Sequence, residues 1–259
     1  MVNPLLWRFL LRLVIVPDEL LAAVRKIVGK HALTLVIRLP FRDFWFRPFF
    51  LDEWFMALEL WEPYVKDALK MSEGDLFIDV GAHIGYHSQY ASKRVGRSGT
   101  VFCLEPNPLN IPILSLNVAA FPQTKIISAA ASDRQGSVPL ILKENPLYTV
   151  THVPTIHIDT YYREKENHGS IDVRAITIDS LTEDIRIVPG AKVFLKVDVE
   201  GSELPVLRGS LRLISRYLPA LIAEIYPENL AESKGLLSNY QFNQLFGDYY
   251  FAFSLPKQE

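Results

Sequence analysis

Cysteine is almost absent. Cys103 is the single example in 259 residues, which excludes an internal disulfide and any cysteine-only metal cluster and fits a reducing, cytoplasmic setting. No run of 18 apolar residues occurs, so the sequence offers no strong membrane-spanning candidate. The opening MVNPLLWRFLLRLVIVPDEL is apolar, but Arg8 and Arg12 interrupt it and no small-residue cleavage site follows, which argues against a signal peptide. Internal repeats and low-complexity stretches are missing too. Net charge is scarce: 27 basic and 29 acidic residues leave −2. What is abundant is apolar surface. Hydrophobic residues make up 49% and charged residues 22%, which excludes a disordered chain and predicts one domain, or one with an elaboration.

The small net charge hides an asymmetry. Residues 1–50 hold eight basic and three acidic residues, giving +5, and residues 51–259 hold 19 and 26, giving −7. The head also carries Trp7, Phe9, Trp45, Phe46 and Phe49. Basic charge beside large aromatics suits an interfacial segment on anionic lipid. A helical cap on the sheet or a homodimer contact suits it equally.

Helical spacing predicts a helix over 4–15, with Arg8 and Arg12 on one face, a second helix ending near Gly29, and a third from an Asp52 cap through Lys70. From residue 75 the pattern changes to short apolar runs alternating with helical stretches. Strands are predicted at 75–80, 100–105, 124–129, 192–198 and 219–225, and helices at 85–95, 108–120, 203–215 and 229–246. The strands are apolar on nearly every residue, as in a parallel sheet covered on both faces. The expected fold is therefore α/β, an open, doubly wound, mostly parallel sheet. Residues 1–70 form an N-terminal helical, aromatic-rich extension and 71–259 the main domain. VPLILK (138–143) and DVRAITI (172–178) read as strands flanking a polar loop of about 25 residues, 145–170, which holds His152, His157, His168, Tyr148, Tyr161 and Tyr162. The aromatic run Tyr249, Tyr250, Phe251, Phe253 reads as one last core strand, so the sheet is expected to lack a final hairpin.

Three segments place charge where such a sheet binds ligands, at the carboxyl ends of its strands. The first is FIDVGAHIGY, 77–86. Asp79 ends an apolar strand, and Gly81 and Gly85 bracket the turn into a helix. The spacing is not the G-x-G-x-x-G of a dinucleotide site, which weakens a nicotinamide or other nucleotide reading. An acid at the strand end suits a ligand with a positive charge and an amino group, such as S-adenosylmethionine. The second is FCLEPNP, where Glu105 lies 26 residues after Asp79, the position from which a carboxylate accepts ribose hydroxyls. The third is FLKVDVEGSE, 194–203. Strand alternation puts Lys196 and Asp198 on the same side, either paired with each other or both reaching a site. His83 and His87 are four apart, but two ligands without a third do not make a metal site, and no metal is expected.

FIDVGAHIG, EPNP, AASD (130–133), IDSL (178–181) and KVDVEGSE, in this order, resemble the FkbM family of S-adenosylmethionine-dependent methyltransferases. The resemblance covers 75 to about 226. It implies a Rossmann-like class I methyltransferase fold and methyl transfer, commonly onto oxygen. By the same resemblance, Asp79, Gly81, Ala82, His83, Gly85 and Tyr86 belong to the cofactor loop, and Glu105 and Asn107 to the ribose side. Ser132 and Asp133 would lie near the adenine, and Asp198 and Glu200 beside the reaction centre. His83 departs from the family, which usually has Asn there. A base taking the acceptor's proton is expected to be Asp198, with Glu200 and His83 as alternatives. The implied acceptor is a hydroxyl on a saccharide, a lipid-linked glycan or a secondary metabolite. Nucleic acid is not expected, because the body is acidic. A cofactor-binding scaffold without catalysis is the other open reading.

Overall fold

Residues 23–24, 27–142, 149–151, 170–185 and 187–254 are described by a computed structural model. The contacts divide the chain into two units, Met1–Pro63 and Tyr64–Glu259. The helix expected at 4–15 and most of the loop 145–170, with its three histidines and three tyrosines, lie outside the described residues.

In the first unit a 3-10 turn, Gly29–Leu33, precedes β1 (Ile37–Arg38) and β2 (Trp45–Phe46), which pair antiparallel, and helix α1 (Leu51–Ala57). The single helix expected from Asp52 to Lys70 is instead two, α1 and α2 (Pro63–Ala68). Glu59 and Glu62 between them adopt φ of 61° and 41°, and Pro63 starts a helix because its ring sets φ and it has no N–H to lose. Asp52 is not the cap. Phe50 holds that position without a side-chain bond, and Asp52 and Glu53 lie in the first turn, where the helix dipole favours negative charge. Glu53 is fully buried and accepts the Arg47 backbone N–H at 2.6 Å and its Nε–H at 2.7 Å. Burial pushes its carboxyl up to about 7 against the pull of Arg47. Arg38 pairs with Asp43 and Arg42 with Glu59. Asp52, Glu53, Glu59 and Glu62 add four negative charges to the head, so the unit Met1–Pro63 carries +1 and Tyr64–Glu259 carries −3.

The second unit is built on a seven-stranded sheet. Its parallel strands are β3 (Leu76–Val80), β4 (Thr100–Leu104), β5 (Thr124–Ile127), β10 (Val193–Val197) and β11 (Ala220–Glu224). The order is β12-β13-β11-β10-β3-β4-β5. The chain runs outward from β3 through β4 to β5, then returns to β10 on the other side of β3. That reversal makes the carboxyl ends of β3 and β10 the topological switch point, where an open α/β sheet leaves a crevice. Helices α3 (Tyr86–Val95) and α4 (Ile111–Val118) follow β3 and β4. A smaller sheet, in the order β6-β9-β7-β8, holds β6 (Ala130–Ala131), β7 (Gly136–Leu142), β8 (Thr149–Thr151) and β9 (Ser170–Ile176).

The second unit differs from expectation at three places. The helix expected over 229–246 ends early: α8 is Pro227–Leu236, and β12 (Tyr240–Phe246) follows. Residues 240–243 alternate, with Tyr240 and Phe242 on the core, and that period of two belongs to a strand. β12 turns through Gly247, at φ 52°, into β13 (Tyr249–Ser254). The sheet therefore has the terminal hairpin that was expected to be missing, and β13 lies antiparallel against β11. The helix expected over 203–215 is two, α6 (Glu203–Arg208) and α7 (Leu211–Tyr217). The break is at Gly209, where a Cβ would stand 2.0 Å from the Ser132 carbonyl oxygen. The chain turns there because two backbones touch.

The IDSL segment is the short helix α5 (Ile178–Leu181). Its Asp179 carboxylate accepts the backbone N–H groups of Arg212 at 3.0 Å and Leu213 at 2.8 Å, satisfying two orphan donors at the start of α7. Asp179→Ala is expected to lower the unfolding free energy by about 1–2 kcal/mol, read as an earlier midpoint in urea. An unchanged midpoint would mean that water replaces the carboxylate at no cost.

Candidate active site

Period-two alternation sorts the sheet's side chains. Leu76, Ile78, Val80, Leu195 and Val197 fill one apolar core, while Phe77, Cys103, Phe194, Ile222 and Tyr249 fill the other. Asp79, Lys196, Asp198 and Glu224 continue the second set, at even spacings along their strands. One face thus changes from hydrocarbon to charge as the strands reach their carboxyl ends.

The turn after β3 is held from both sides. The Gly81 and Ala82 N–H groups both donate to the Leu104 carbonyl at 3.0 Å, and the Gly85 N–H donates to Ala82 at 2.8 Å. Asn117 Nδ2 donates to the Ile84 carbonyl at 2.7 Å, fixing the turn to α4. Gly81 has φ 83°, and a Cβ there would lie 1.8 Å from the Asp198 carbonyl oxygen. The two turns flanking the switch point are therefore in backbone contact. His83 has φ 51°, a left-handed conformation in which Asn, Asp and His are enriched among non-glycine residues. The imidazole is thus one of the side chains this backbone position tolerates. His83 precedes α3, so its spacing from His87 does not put the two imidazoles on one helix face. Tyr86 is buried, with the Lys66 ammonium 4.1 Å from its ring centroid.

Glu105 ties this turn to the next one. Its Oε2 accepts the His83 N–H at 2.8 Å, and its Oε1 accepts the Asn107 N–H at 2.9 Å and Asn110 Nδ2 at 3.2 Å. Burial raises its pKa against those donors. Asp79 is fully buried. Its Oδ2 accepts the Ser88 hydroxyl at 2.6 Å, while its Oδ1 has no hydrogen-bond partner among the described residues and stands 3.9 Å from Lys196 Nζ. Burial raises the Asp79 pKa, opposed chiefly by Lys196. Lys196 donates to Asp198 Oδ2 at 2.9 Å, and the Tyr249 hydroxyl donates to the same oxygen at 3.0 Å. Burial alone would raise the Asp198 pKa, but Lys196 and Tyr249 outweigh it, and the carboxyl is held below its usual value.

Beyond Asp198, Glu200 has φ 56° and Gly201 φ 101°. The Gly201 N–H donates to Glu203 Oε1 at 2.9 Å, and burial pushes the Glu203 carboxyl up to about 7. Ser132 is buried, and its hydroxyl lies 3.3 Å from Asp133 Oδ1. These two follow β6 in the smaller sheet. Cys103 is buried beside Asp79, and burial raises its thiol pKa, which makes it a poor nucleophile.

The FkbM methyltransferase domain model matches residues 79–248, about two thirds of the chain. This chain belongs to the FkbM methyltransferase family. S-adenosylmethionine is its methyl donor. Among curated relatives, it is 27% identical over 180 residues to the methyltransferase sdnD of Sordaria araneosa, with 61% of this chain and 69% of that one covered. It is 29% identical over 167 residues to the hexuronic acid methyltransferase AglP of Haloferax volcanii, where the shares are 62% and 61%. The crystal structure of methyltransferase FkbM from Methylobacillus flagellatus KT matches with a TM-score of 0.46 at 19% identity, covering 71% of this chain and 44% of that one. The chain thus spans less than two thirds of AglP and of the Methylobacillus protein.

The donor set of this FkbM domain fits the cofactor. S-adenosylmethionine carries an ammonium, a sulfonium and a ribose diol. The buried Asp79 Oδ1 without a hydrogen bond offers an anionic acceptor for a cation at the strand end. Glu105 Oε2 keeps lone-pair capacity beside the His83 N–H for a ribose hydroxyl. Asp79 and Glu105 hold the β3–β4 half of the edge, and Asp198, Glu200 and Glu224 the β10–β11 half. Sequence reasoning missed Tyr249 as a site residue, since its aromatic run reads as core. It also missed Glu224, although an acid ending the apolar strand ALIAE is the same signal that marks Asp79 and Glu105.

Proposed function

We propose that this FkbM protein transfers a methyl group to a hydroxyl on a saccharide, a lipid-linked glycan or a secondary metabolite, with Asp198 as the group that meets the acceptor. The observation that carries the reading is the contrast along the polar edge. Lys196 and Asp79 are sealed at 2% and 0% side-chain exposure, while Asp198, paired to Lys196, keeps 20%. It is a stable anion at the open end of a closed charge row. When bound, S-adenosylmethionine supplies a methyl group made electrophilic by its sulfonium. The chain's own residues orient, exclude water and handle the proton. Asp198 accepts the acceptor's O–H in a hydrogen bond and takes its proton as the new O–C bond completes. Its low pKa makes it a weak base, which suits a proton that becomes acidic only as the bond forms. Glu200 and His83 are the alternative proton acceptors. Support for a sugar comes from AglP, named for hexuronic acid. The acidic unit that holds the site disfavours nucleic acid. Among the described residues no helix is long and apolar enough to cross a membrane.

The test is transfer of labelled methyl from S-adenosylmethionine to methyl glucuronide, methyl glucoside and a lipid extract in parallel. Incorporation into a hydroxyl supports the reading. Incorporation into nitrogen or carbon sinks its oxygen-directed part. Asp198→Asn is expected to keep the fold and to lower turnover at least about tenfold. A rate equal to wild type with an accepted substrate would remove Asp198 from the mechanism.

A further inference from the structure

Glu224 ends β11 and is not among the residues the family resemblance assigns. Parallel pairing of β11 with β10 sets Ala223 opposite Val197, so the next residues, Glu224 and Asp198, emerge side by side on the same face. Antiparallel pairing with β13 sets Glu224 opposite Tyr249, whose hydroxyl reaches Asp198 Oδ2 at 3.0 Å. Each carboxyl acts on the other, and two carboxyl groups so placed can hydrogen-bond only if one of them carries a proton.

Asp198 already accepts Lys196 Nζ and the Tyr249 hydroxyl, and both donors favour its anion. The proton therefore belongs to Glu224. The groups around Glu224 agree. Asp198 and Glu200 in the loop after β10 and Glu203 on α6 are all acidic and all act on it. Tyr226 on its own loop is held protonated, its pKa raised by burial, by the same three carboxyl groups and by Glu224 itself. Asp248, in the hairpin turn, gives its carbonyl to the Ile225 N–H at 2.7 Å. Lys196 is the cation in the row, and it is engaged by Asp198 and faces Asp79.

We propose that Glu224 is a positioning residue for Asp198: as a neutral acid it donates its O–H to the Asp198 carboxylate and, with Lys196 and Tyr249, fixes that anion at the open end of the site. This rests on the reading that Asp198 meets the acceptor. Burial and the neighbouring carboxylates push the Glu224 pKa up to about 9. Its folded value thus lies above its unfolded value of 4.5. The stability it contributes is complete below the unfolded pKa and is lost as pH rises through about 9.

Infrared difference spectra of wild type minus Glu224→Gln, together with thermal unfolding across pH, test this on the full chain without an acceptor. The wild type is expected to show a protonated carboxyl stretch near neutral pH that Glu224→Gln lacks and that fades through about pH 9. The midpoint of wild type should fall relative to Glu224→Gln as pH rises over that span. Glu224→Gln keeps a donor to Asp198, so it should unfold later than Glu224→Ala at neutral pH. Wild-type and Gln spectra with the same protonated band, or a midpoint difference independent of pH, would overturn the assignment. Calorimetric titration with S-adenosylmethionine separates the two layers. A chain that does not bind it at millimolar concentration overturns the functional reading and the positioning role together. A chain that binds it but lacks the band overturns the positioning role alone.

Discussion

Lys196→Met is expected to destabilise the protein by about 3–5 kcal/mol, the cost of leaving buried charge without its partner. Lys196 is 2% exposed and lies between Asp79 Oδ1 at 3.9 Å and Asp198 Oδ2 at 2.9 Å. Methionine fills a similar volume, so packing changes little and the loss is electrostatic. Without the ammonium, Asp79 faces Asp198 across a desolvated strand edge. Each carboxylate then favours its protonated form more strongly: the folded pKa of Asp79, already raised by burial, rises further, and that of Asp198 loses the pull that holds it down. The variant should recover part of its stability as pH falls, because protonation removes the repulsion. Urea unfolding at neutral and mildly acidic pH reads both effects. Adding Asp79→Asn removes one orphaned charge and should restore part of the loss, and that recovery distinguishes a charge effect from a packing defect. A loss under about 1 kcal/mol would show that water reaches the pair and that the site is far more polar than its burial indicates.

Gly81→Ala carries the second large effect. The change adds one carbon, but at φ 83° that carbon would sit 1.8 Å from the Asp198 carbonyl oxygen. The obstacle is backbone at the end of a central strand, so no side-chain rotation relieves it. Gly190 is the matched control, with φ 84° and nothing within 4 Å of a Cβ. Gly190→Ala should cost only the conformational penalty of about 1–2 kcal/mol. Gly81→Ala should cost that plus the displacement of the turn, at least about 3 kcal/mol in total. Because the displaced turn carries His83 and its bond to Glu105, S-adenosylmethionine affinity should fall at least about a hundredfold in whatever fraction folds. Calorimetric titration checks this. Equal costs at the two glycines would show that the β3 and β10 turns can separate freely.

Much of the polar edge was legible because its signal is local. Asp79, Glu105 and Asp198 each stand at the carboxyl end of an apolar strand, and a charge at that place marks a ligand edge whatever the rest of the chain does. Glu224 carries the same mark but stands outside the motifs. Tyr249 was legible only as core: its ring does pack in the second apolar cluster, while its hydroxyl does something the pattern cannot show. The misread helix over 229–246 has a related cause. Tyr240 and Phe242 fit helical or strand spacing over so short a run, and only the partner strand selects the second.

The sequence by itself determined the α/β class, the five parallel strands and the residues at their ends, since alternation and strand-end chemistry depend on neighbours a few positions apart. Tertiary structure decided which of those ends meet. The Glu105 bond to the His83 N–H, the Tyr249 bond to Asp198, and the contact of Gly81 with the Asp198 carbonyl join residues from 22 to over 100 positions apart. Such distances close only when strand order and register are set. Charge states followed the same division. Asp198 and Glu224 are both carboxyl groups at strand ends, yet burial and the reach of one ammonium and one hydroxyl leave the first an anion and the second an acid.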